Sequence, residues 1–384
     1  MVLAYQQLRD AIQGKAPIIS APPKYPIDIK QVQPASLDLR LGEKAYRTRA
    51  ASLPRDDQFV FDLISTEPHK KYDFDLSTKK SNMLEKNHTY VIPLLEACAL
   101  PEHVWIEFSP KSSTGRCDVF ARVLCDRFPH YDVTPPGYHG PLYLEVTPLS
   151  FDVEIRQGLS LMQGRLKTKK TLRLDDEEIA QLHMKEGILF GTMGRALSQK
   201  ELRIRNRELF YHVDLDRDVV GLMAKSSFDS SLRMDLDPEK DPLEEPRNFW
   251  EPIQRPRGGV LTLIPGNFYL LATKERTKIP STVCGQVTSY ELTTGEFRPH
   301  YAGFFDPGFG NPQEGTKGVL EVRARDVPYN LTDGKPICSM KFERMSELPE
   351  VTYAGNYRES GPSLSKHFDH RYTAWESGYW RGLW

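Results

Sequence analysis

A compact group of hydroxyl and cationic residues follows a strand-like segment in the first half of the chain. Residues 111–116 read KSSTGR and come directly after HVWIEFSP, in which apolar and polar residues alternate. Two cations, adjacent hydroxyls and a glycine that frees the backbone can direct several donors at one anion, and phosphate is the obvious guest. Taken alone this is a weak signal, and an ordinary solvated turn is the favoured interpretation.

A second chemical feature is a glutamate in the centre of an alternating segment, and it occurs twice. The segment YLEVTP carries Glu145, and GVLEVRA carries Glu321. A carboxylate on a strand usually lies on a solvated face. A buried carboxylate would instead have a raised pKa, which suits a group that must both accept and donate a proton. The strand pattern alone favours the solvated face.

The two glutamates belong to a longer internal repeat. Residues 145–166 align without gaps on residues 321–342, and Tyr90–Pro101 aligns in the same way on Tyr269–Pro280. Few identities are shared, but apolar alternation and the positions of glycine and proline recur, as in a duplicated unit whose surface has diverged. The sequence therefore predicts two copies of one domain.

Short alternating segments bounded by proline and glycine predict that each half is mostly β. They include PASLDLRLG, HVWIEFSP, GPLYLEVTP and FDVEIRQG. In GPLYLEVTP the apolar face is Leu142, Leu144 and Val146, which places Glu145 on the opposite face. The first residues of the chain predict a short helix that ends at Gly14.

A helical segment separates the two halves. Asp175–Gly187 begins with acidic residues, places Ile179, Leu182 and Met184 inside and closes with glycine, which predicts a capped linker helix. The predicted domains are a first repeat with this helix (1–200), a second repeat (201–345) and a tail (346–384). The tryptophan-rich end of the tail either docks on a neighbouring chain or stays mobile.

Composition limits the classes of function. The formal net charge is -1 with 27% charged residues, which argues against the basic surface that nucleic-acid binding needs. No apolar run of membrane-spanning length and no signal-peptide core is visible, so we expect a cytoplasmic protein that binds no membrane. The five cysteines form no CxxC or Cys/His cluster, which predicts reduced, buried thiols.

The order of these motifs resembles that of the dCTP deaminase and dUTPase superfamily. In that pattern a strand is followed by an RSSLAR-like phosphate loop, a DPG-aromatic-x-G turn and a VLE strand. The first repeat here has KSSTGR, PPGYHG and YLE, and the second has FFDPGFG and VLE. The layout, with GEFRPHYAGFFDPGFG and the tail NYRESGPSLSKHF, is similar to that of the long tandem dCTP deaminases of bacteria and extends to about Phe368.

This resemblance implies a mainly β fold, made of two tandem copies of a dUTPase-like distorted β-barrel or jelly-roll with a few short helices. It also implies hydrolytic deamination of free dCTP, not DNA, to dUTP and ammonia, supplying dUTP for dTMP synthesis. The tail has no glycine-rich phosphate-covering motif of the dUTPase kind, which favours the deaminase branch. A bifunctional deaminase and dUTPase, or an inactive nucleotide-binding regulatory protein, remain the alternatives.

The family's motifs also imply roles for residues of this chain. The strand glutamate takes a proton from water and delivers it to ring N3, and Ser112 helps to orient or polarise the ring. The HxE and PCxxC signatures of zinc deaminases are missing from the sequence, so we expect no zinc, and Mg²⁺ bound mainly through the triphosphate. The nucleotide-binding residues implied by the resemblance are Lys111, Ser113, Gly115, Arg116, Tyr138, Ala302, Asp306, Phe309 and Tyr357.

Neither repeat carries the complete family pattern. The first keeps the phosphate loop, but Pro135 stands where the turn's aspartate is expected. The second keeps Asp306 and Ala302, whose family counterpart offers a backbone carbonyl near the water. The segment YELTTG, which aligns with the phosphate loop, brings no cation, although Arg298 lies close in sequence.

The assembly decides which glutamate works. Superfamily sites combine neighbouring folds of a threefold ring, which implies a homo-oligomer, most simply a trimer. Stacked rings of like repeats would place Glu145 beside a neighbour's residues 111–116, and we slightly favour this arrangement. Adjacent unlike repeats would instead make Glu321 the base. A purely structural role, in which each glutamate only pins its hairpin, stays open for both positions.

Overall fold

The chain forms two compact units. The computed structural model describes residues 1–77, 82–168, 173–225, 232–237, 243–289, 297–300, 303–355, 357 and 363–369. The first unit comprises Met1–Thr171, Arg233–Lys240 and Met345–Val351. The second unit comprises Leu172–Leu232, Asp241–Arg344 and Thr352–Trp384, and it therefore includes the helix between the repeats. The tryptophan-rich end of the tail lies outside the described residues.

Short strands dominate both units, and the helices are few and short. The helices are α1 Tyr5–Gln13, α2 Val60–Ser65, α3 Ser112–Gly115, α4 Asp176–Glu186 and α5 Pro246–Phe249, with 3-10 turns at Ile29–Gln31, Gln199–Glu201 and Arg257–Gly259. The strands up to the end of the first repeat are β1 Ile19–Ser20, β2 Leu37–Arg40, β3 Lys44–Thr48, β4 Lys70–Asp75, β5 Asn82–Leu84, β6 Tyr90–Ala99, β7 Val104–Pro110, β8 Val119–Cys125, β9 His139–Pro148, β10 Val153–Ile155 and β11 Ser160–Thr168. The later strands are β12 Leu189–Phe190, β13 Ile204–Arg205, β14 Glu208–His212, β15 Val219–Ala224, β16 Met234–Asp235, β17 Trp250–Gln254, β18 Val260–Leu263, β19 Tyr269–Thr277, β20 Val283–Ser289, β21 Phe297–His300, β22 Phe304–Phe305, β23 Thr316–Ala324, β24 Tyr329–Thr332 and β25 Pro336–Arg344.

The main sheets of the two units have matching strand orders. In the first unit the largest sheet runs β4-β3-β6-β9-β8, with β1 also pairing with β6, beside the sheets β2-β11-β7 and β16-β10-β5. In the second unit the corresponding sheet runs β17-β15-β19-β23-β21, with β12 pairing with β19, beside the sheets β13-β14-β25-β20-β22 and β18-β24. The glutamate-bearing strands β9 and β23 occupy the same place in their sheets.

The register of the central strands repeats as well. Glu145 on β9 lies opposite Val91 on β6, and Glu321 on β23 lies opposite Leu270 on β19. Val91 and Leu270 are the residues that the ungapped alignment of the two repeats places together. The predicted tandem duplication and mainly β fold are therefore confirmed.

Strand β9 is buried on both of its faces. Leu142, Leu144 and Val146 form the predicted apolar face and are fully buried. Tyr143 and Glu145, on the opposite face, are buried as well. The solvated face that the strand pattern alone favoured for Glu145 is therefore wrong.

The chain turns at aligned glycines between β10 and β11 and between β24 and β25. The strands on either side of each turn belong to different sheets, so these turns are not the hairpins that the sequence pattern predicts. Gly158 has φ of 84° and Gly334 has φ of 69°. No heavy atom outside the adjacent residues lies within 4 Å of a Cβ built at either position. Each glycine is therefore needed for its left-handed backbone conformation and not for space.

The helix between the repeats is capped at both ends, as predicted. The Asp175 side chain accepts a 2.9 Å hydrogen bond from the Glu178 N–H, and the Gly187 N–H donates to the His183 carbonyl. The prediction that Met184 points inward is wrong, since 60% of this residue is exposed. His183 is buried instead, because the residue four positions after the buried Ile179 shares its face of the helix.

All five cysteines are buried thiols and not halves of disulfides, as predicted. Burial raises the pKa of the Cys98 thiol to about 12, so this thiol stays protonated at neutral pH. In the described part of the chain, none of the helices has the length and apolar character needed to cross a membrane.

We expect Leu271→Ala to lower the free energy of unfolding of the second unit by about 2–5 kcal/mol, because it leaves a cavity at a core position of β19. Leu271 is fully buried and lies opposite Leu320 on β23. Urea denaturation followed by intrinsic fluorescence measures the change. The matched control is Met184→Ala on the exposed face of α4, for which a change within about 0.5 kcal/mol is expected. Equal losses in the two variants would contradict this view of the core.

Candidate active site

Glu145 lies inside the first unit, with 3% of its surface exposed. Its Oε1 accepts a 2.9 Å hydrogen bond from the Tyr131 hydroxyl, and its Oε2 accepts a 3.1 Å hydrogen bond from the Ser52 backbone N–H. Both donors come from irregular segments, Ser52 from one far from β9 in sequence and Tyr131 from the connection between β8 and β9. The carboxylate is thus held in one orientation by two separate parts of the fold.

The surroundings of Glu145 change its acidity. Burial raises the pKa of Glu145 and is the largest influence on it, because a low-dielectric interior disfavours the charged form. The hydrogen bonds from Ser52 and Tyr131 and the charge of Arg122 act in the opposite direction. A carboxyl group in such a site can exchange protons closer to neutral pH than a solvated glutamate can.

Arg122 connects Glu145 to a second acid, the half-buried Asp132. It lies on β8, directly opposite Glu145 in the strand register. Its guanidinium carbon is 4.5 Å from the centre of the Tyr131 ring, a cation–π contact, and its Nε pairs with Asp132. The other carboxylate oxygen of Asp132 accepts a 2.8 Å hydrogen bond from the Val123 N–H. Arg122 therefore helps to fix the tyrosine that contacts the glutamate.

Sequence reasoning missed Ser52, Tyr131 and Arg122. Alternation along β8 would have placed Arg122 on one face of that strand, but its position opposite Glu145 depends on the register between β8 and β9. Ser52 and Tyr131 lie in irregular segments, whose long-range contacts are not encoded by a local pattern. Only the assembled fold reveals these three neighbours.

The residues of the predicted phosphate loop, 111–116, form a one-turn helix. Lys111 is the N-cap of α3, which spans Ser112–Gly115. Ser113 and Arg116 are buried, so the alternative of an ordinary solvated turn does not describe this segment. The Lys111 ammonium group pairs with Asp38 on β2.

The hydrogen bonds described for Glu145 come from outside the predicted loop of the first unit. The hydrogen bonds described for Glu145 come from Tyr131 and Ser52, and none comes from residues 111–116. Ser112, for which the family resemblance implies a role near the reacting ring, is half-buried at the start of α3. Within this unit the described hydrogen bonds therefore do not join Glu145 to residues 111–116.

The turn aromatic of the first unit is held by its own hydroxyl. Tyr138 is buried, and its hydroxyl donates a 2.7 Å hydrogen bond to the Pro141 carbonyl. The same oxygen accepts a 3.1 Å hydrogen bond from the Asp126 N–H. These bonds fix the PPGYHG turn at the start of β9.

The turn of the second unit is fixed by aromatic packing. Phe309 contacts Phe305 edge-to-face at 4.7 Å and Tyr353 at 5.5 Å between ring centres. The Phe309 N–H donates to the Asp306 carbonyl, and the Tyr353 N–H donates to the Pro307 carbonyl at 2.8 Å. Asp306 itself is buried. The DPGFG motif is therefore a packed turn at the edge of the second core.

Glu321 occupies the position in the second unit that Glu145 has in the first. It is 3% exposed and lies between Leu270 on β19 and His300 on β21 in the strand register. Both strand glutamates are thus buried in a mainly β core, which is unusual for a carboxylate.

Some predicted site residues of the second unit lie outside the described residues, and others lie within them. Ala302 and the segment YELTTG, residues 290–295, lie outside the described residues. The backbone of Arg298 pairs with that of Arg323 across β21 and β23. Tyr357 packs against the core of the second unit, and its hydroxyl accepts a 3.1 Å hydrogen bond from the Lys366 N–H.

The described residues also bear on metal binding. Across the part of the chain that the structure describes, no three His, Cys, Asp or Glu side chains group closely enough to hold a metal ion. The carboxylates of Glu145 and Asp132 accept hydrogen bonds from protein donors.

Family models match both units of the chain. Residues 1–170 match the 2'-deoxycytidine 5'-triphosphate deaminase N-terminal domain, and residues 175–368 match the C-terminal domain of the same family. Each match corresponds to one of the two repeats.

Individual relatives show the same similarity. A "dCTP deaminase, dUMP-forming" of Dictyoglomus turgidum is 30% identical over 139 residues, which cover 34% of this chain and 68% of the relative. A "dCTP deaminase" of Pyrococcus horikoshii is 28% identical over 105 residues, covering 27% of this chain and 63% of the relative. The crystal structure of 2'-deoxycytidine 5'-triphosphate deaminase from Agrobacterium tumefaciens has a TM-score of 0.81 and 35% identity, with 91% of this chain and 96% of that chain covered. With both repeats matched in order along nearly its whole described length, the chain belongs to the dCTP deaminase family.

Proposed function

We propose that this chain hydrolyses the 4-amino group of dCTP and produces dUTP and ammonia. The observation that carries the proposal is the buried glutamate that each unit places at the same register position of its central sheet. The relatives from Dictyoglomus turgidum and Pyrococcus horikoshii, both named as dCTP deaminases, support the same substrate.

In the proposed reaction the glutamate carries protons between water and the cytosine ring. The carboxylate takes one proton from a water molecule as the water oxygen bonds to C4, and this proton passes to N3. C4 then carries both a hydroxyl and an amino group. The carboxylate next moves the hydroxyl proton to N4, the C4–N4 bond breaks, and ammonia leaves while C4 becomes a carbonyl. One dCTP and one water give one dUTP and one ammonia.

The acid–base properties of Glu145 support this role. A group that must accept and then donate a proton works best when its pKa is near the pH of the reaction. Burial raises the pKa of Glu145 in that direction, and Tyr131 and Ser52 fix the carboxylate in place. We therefore favour Glu145 as the base, with Glu321 as the alternative.

Replacement of each glutamate by glutamine separates the two candidates. The amide keeps the shape of the side chain but takes no proton, so we expect Glu145→Gln to lower kcat by about 100- to 10,000-fold with the fold intact. Ammonia release from dCTP measures kcat, and circular dichroism checks the fold.

The other strand glutamate and an exposed residue serve as controls for this experiment. Glu102→Gln, at an exposed position before β7, should leave kcat unchanged. Loss of activity in Glu321→Gln alone would transfer the role to the second unit. Near-normal turnover in both strand variants would exclude the proposed mechanism.

The triphosphate is proposed to bind at residues 111–116. Lys111, Ser113 and Arg116 would contact its oxygens, although Lys111 pairs with Asp38 in the unbound chain. The nucleotide would have to compete with this carboxylate for the ammonium group. Phosphate carries more charge than one carboxylate, which favours the exchange.

We expect Lys111→Ala to raise KM for dCTP by about 10- to 100-fold, since a hydrogen bond to a charged group contributes about 1.5–3 kcal/mol. Steady-state kinetics measures KM. Asp38→Asn is the matched control, because it removes the same ion pair but keeps the ammonium group, and its KM should not rise. An unchanged KM in Lys111→Ala would show that the triphosphate binds elsewhere.

Metal dependence is proposed to come from the substrate. Mg²⁺ prefers oxygen ligands and is commonly held through substrate phosphates. We expect deamination to fall when Mg²⁺ is removed and to persist with a zinc-selective chelator, as measured by ammonia release. Stoichiometric zinc in the purified protein, together with loss of activity on zinc removal, would overturn this part of the proposal.

A second candidate function is deamination followed by removal of pyrophosphate. It is favoured by the name of the Dictyoglomus turgidum relative, which is described as dUMP-forming. Chromatography of the products distinguishes the two. Accumulation of dUTP supports the simple deaminase, whereas dUMP and pyrophosphate in equal amounts support the bifunctional enzyme.

A further inference from the structure

Tyr131 has a specific relation to Glu145 that the family motifs do not include. We infer that Tyr131 is a positioning residue for Glu145. The Tyr131 hydroxyl, oriented by Arg122, holds the buried Glu145 carboxylate in its ionised form before proton transfer. This inference rests on the proposed function, in which Glu145 is the base.

The geometry around the Tyr131 ring leaves it little freedom. Its hydroxyl is 2.9 Å from Glu145 Oε1, and the Arg122 guanidinium carbon lies 4.5 Å from its ring centre. The ring also packs against a buried cluster whose members are Tyr46, Val60, Ile64, Val91, Leu124 and Tyr143. A ring held on one side by a cation and on another by apolar side chains presents its hydroxyl in one direction.

The ionisable groups that act on Glu145 come from two parts of the chain. They are Arg122 on β8 and the pair Tyr131 and Asp132 in the segment after β8. Tyr46 on β3 and Tyr143 on β9 share the buried cluster. Burial and the proximity of Glu145 raise the pKa of Tyr131, so the phenol remains a donor throughout the neutral range.

Tyr131 and Ser52 contribute differently to the carboxylate. Ser52 donates from the backbone, so a side-chain substitution does not remove its hydrogen bond. Tyr131 donates from its side chain, and phenylalanine deletes this one hydroxyl while keeping the ring against Arg122. The hydroxyl favours the charged form of Glu145, so its loss should raise the pKa of Glu145 further.

The test is a pH titration of the carboxyl groups in the full chain carrying Tyr131→Phe. Infrared difference spectroscopy monitors the titration. The Glu145 band is assigned by its disappearance in Glu145→Gln. We expect the midpoint of this band to move to higher pH by about one unit in Tyr131→Phe. We also expect the acid limb of the kcat profile to move by the same amount, because only the ionised carboxylate takes a proton from water.

Tyr143→Phe is the matched control, because Tyr143 is a tyrosine of the same buried cluster that is not among the hydrogen-bond donors described for Glu145. The midpoint of the Glu145 band in Tyr143→Phe should match the midpoint in the unmodified chain. An unchanged Glu145 midpoint in Tyr131→Phe, or equal shifts in both variants, would overturn the inference. A shifted midpoint with an unchanged kcat profile would uphold the hydrogen bond's effect on Glu145 and overturn the proposed role of Glu145 as the base.

Discussion

The burial of the Glu145 carboxylate on β9 is the constraint on which the candidate site of the first unit depends. An isolated buried charge is destabilising by several kcal/mol unless donors compensate for the lost water. Here the Ser52 N–H and the Tyr131 hydroxyl supply two donors, and Arg122 supplies a nearby opposite charge. Each of these groups lies on a different element, so the site requires the β8–β9 register and two irregular segments to be in place together.

The duplicated fold keeps the glutamate and changes what surrounds it. The order of the central sheet and the position of the glutamate within it are the same in both units. The turns that precede the two glutamate strands differ, because one is fixed by the Tyr138 hydroxyl and the other by the packing of Phe309 on Phe305 and Tyr353. A common scaffold with diverged turns allows one unit to keep a chemical role that the other has lost or changed.

Much of the fold could be predicted from the sequence because its signals are local. Alternation in GPLYLEVTP predicts the strand and its apolar face, and the ungapped alignment predicts two copies of one domain, whose central strands share a register in the structure. The capped helix followed from Asp175 and Gly187, although its inner face was assigned to Met184 when His183 occupies it. Local periodicity therefore identifies elements more reliably than it identifies which polar residues become buried.

The environment of the site could not be predicted, because sequence patterns are local and the contacts around Glu145 are not. A strand pattern does not reveal whether the second face of β9 is covered, and here Ser52 and Tyr131 reach Glu145 from two separate irregular segments. The sequence predicts a loop at residues 111–116, whereas the structure has a one-turn helix there. In this helix Arg116 is 7% exposed, and Lys111 already has a carboxylate partner.

The central claim is that a buried strand carboxylate in this chain removes the amino group of dCTP. The most direct measurement is the release of ammonia from dCTP by the purified chain in the presence of Mg²⁺, with the nucleotide products separated in the same samples. The account predicts one ammonia for each dCTP consumed and a uracil nucleotide as the product. Saturable binding of dCTP without release of ammonia would contradict it and would identify a protein that binds the nucleotide without transforming it.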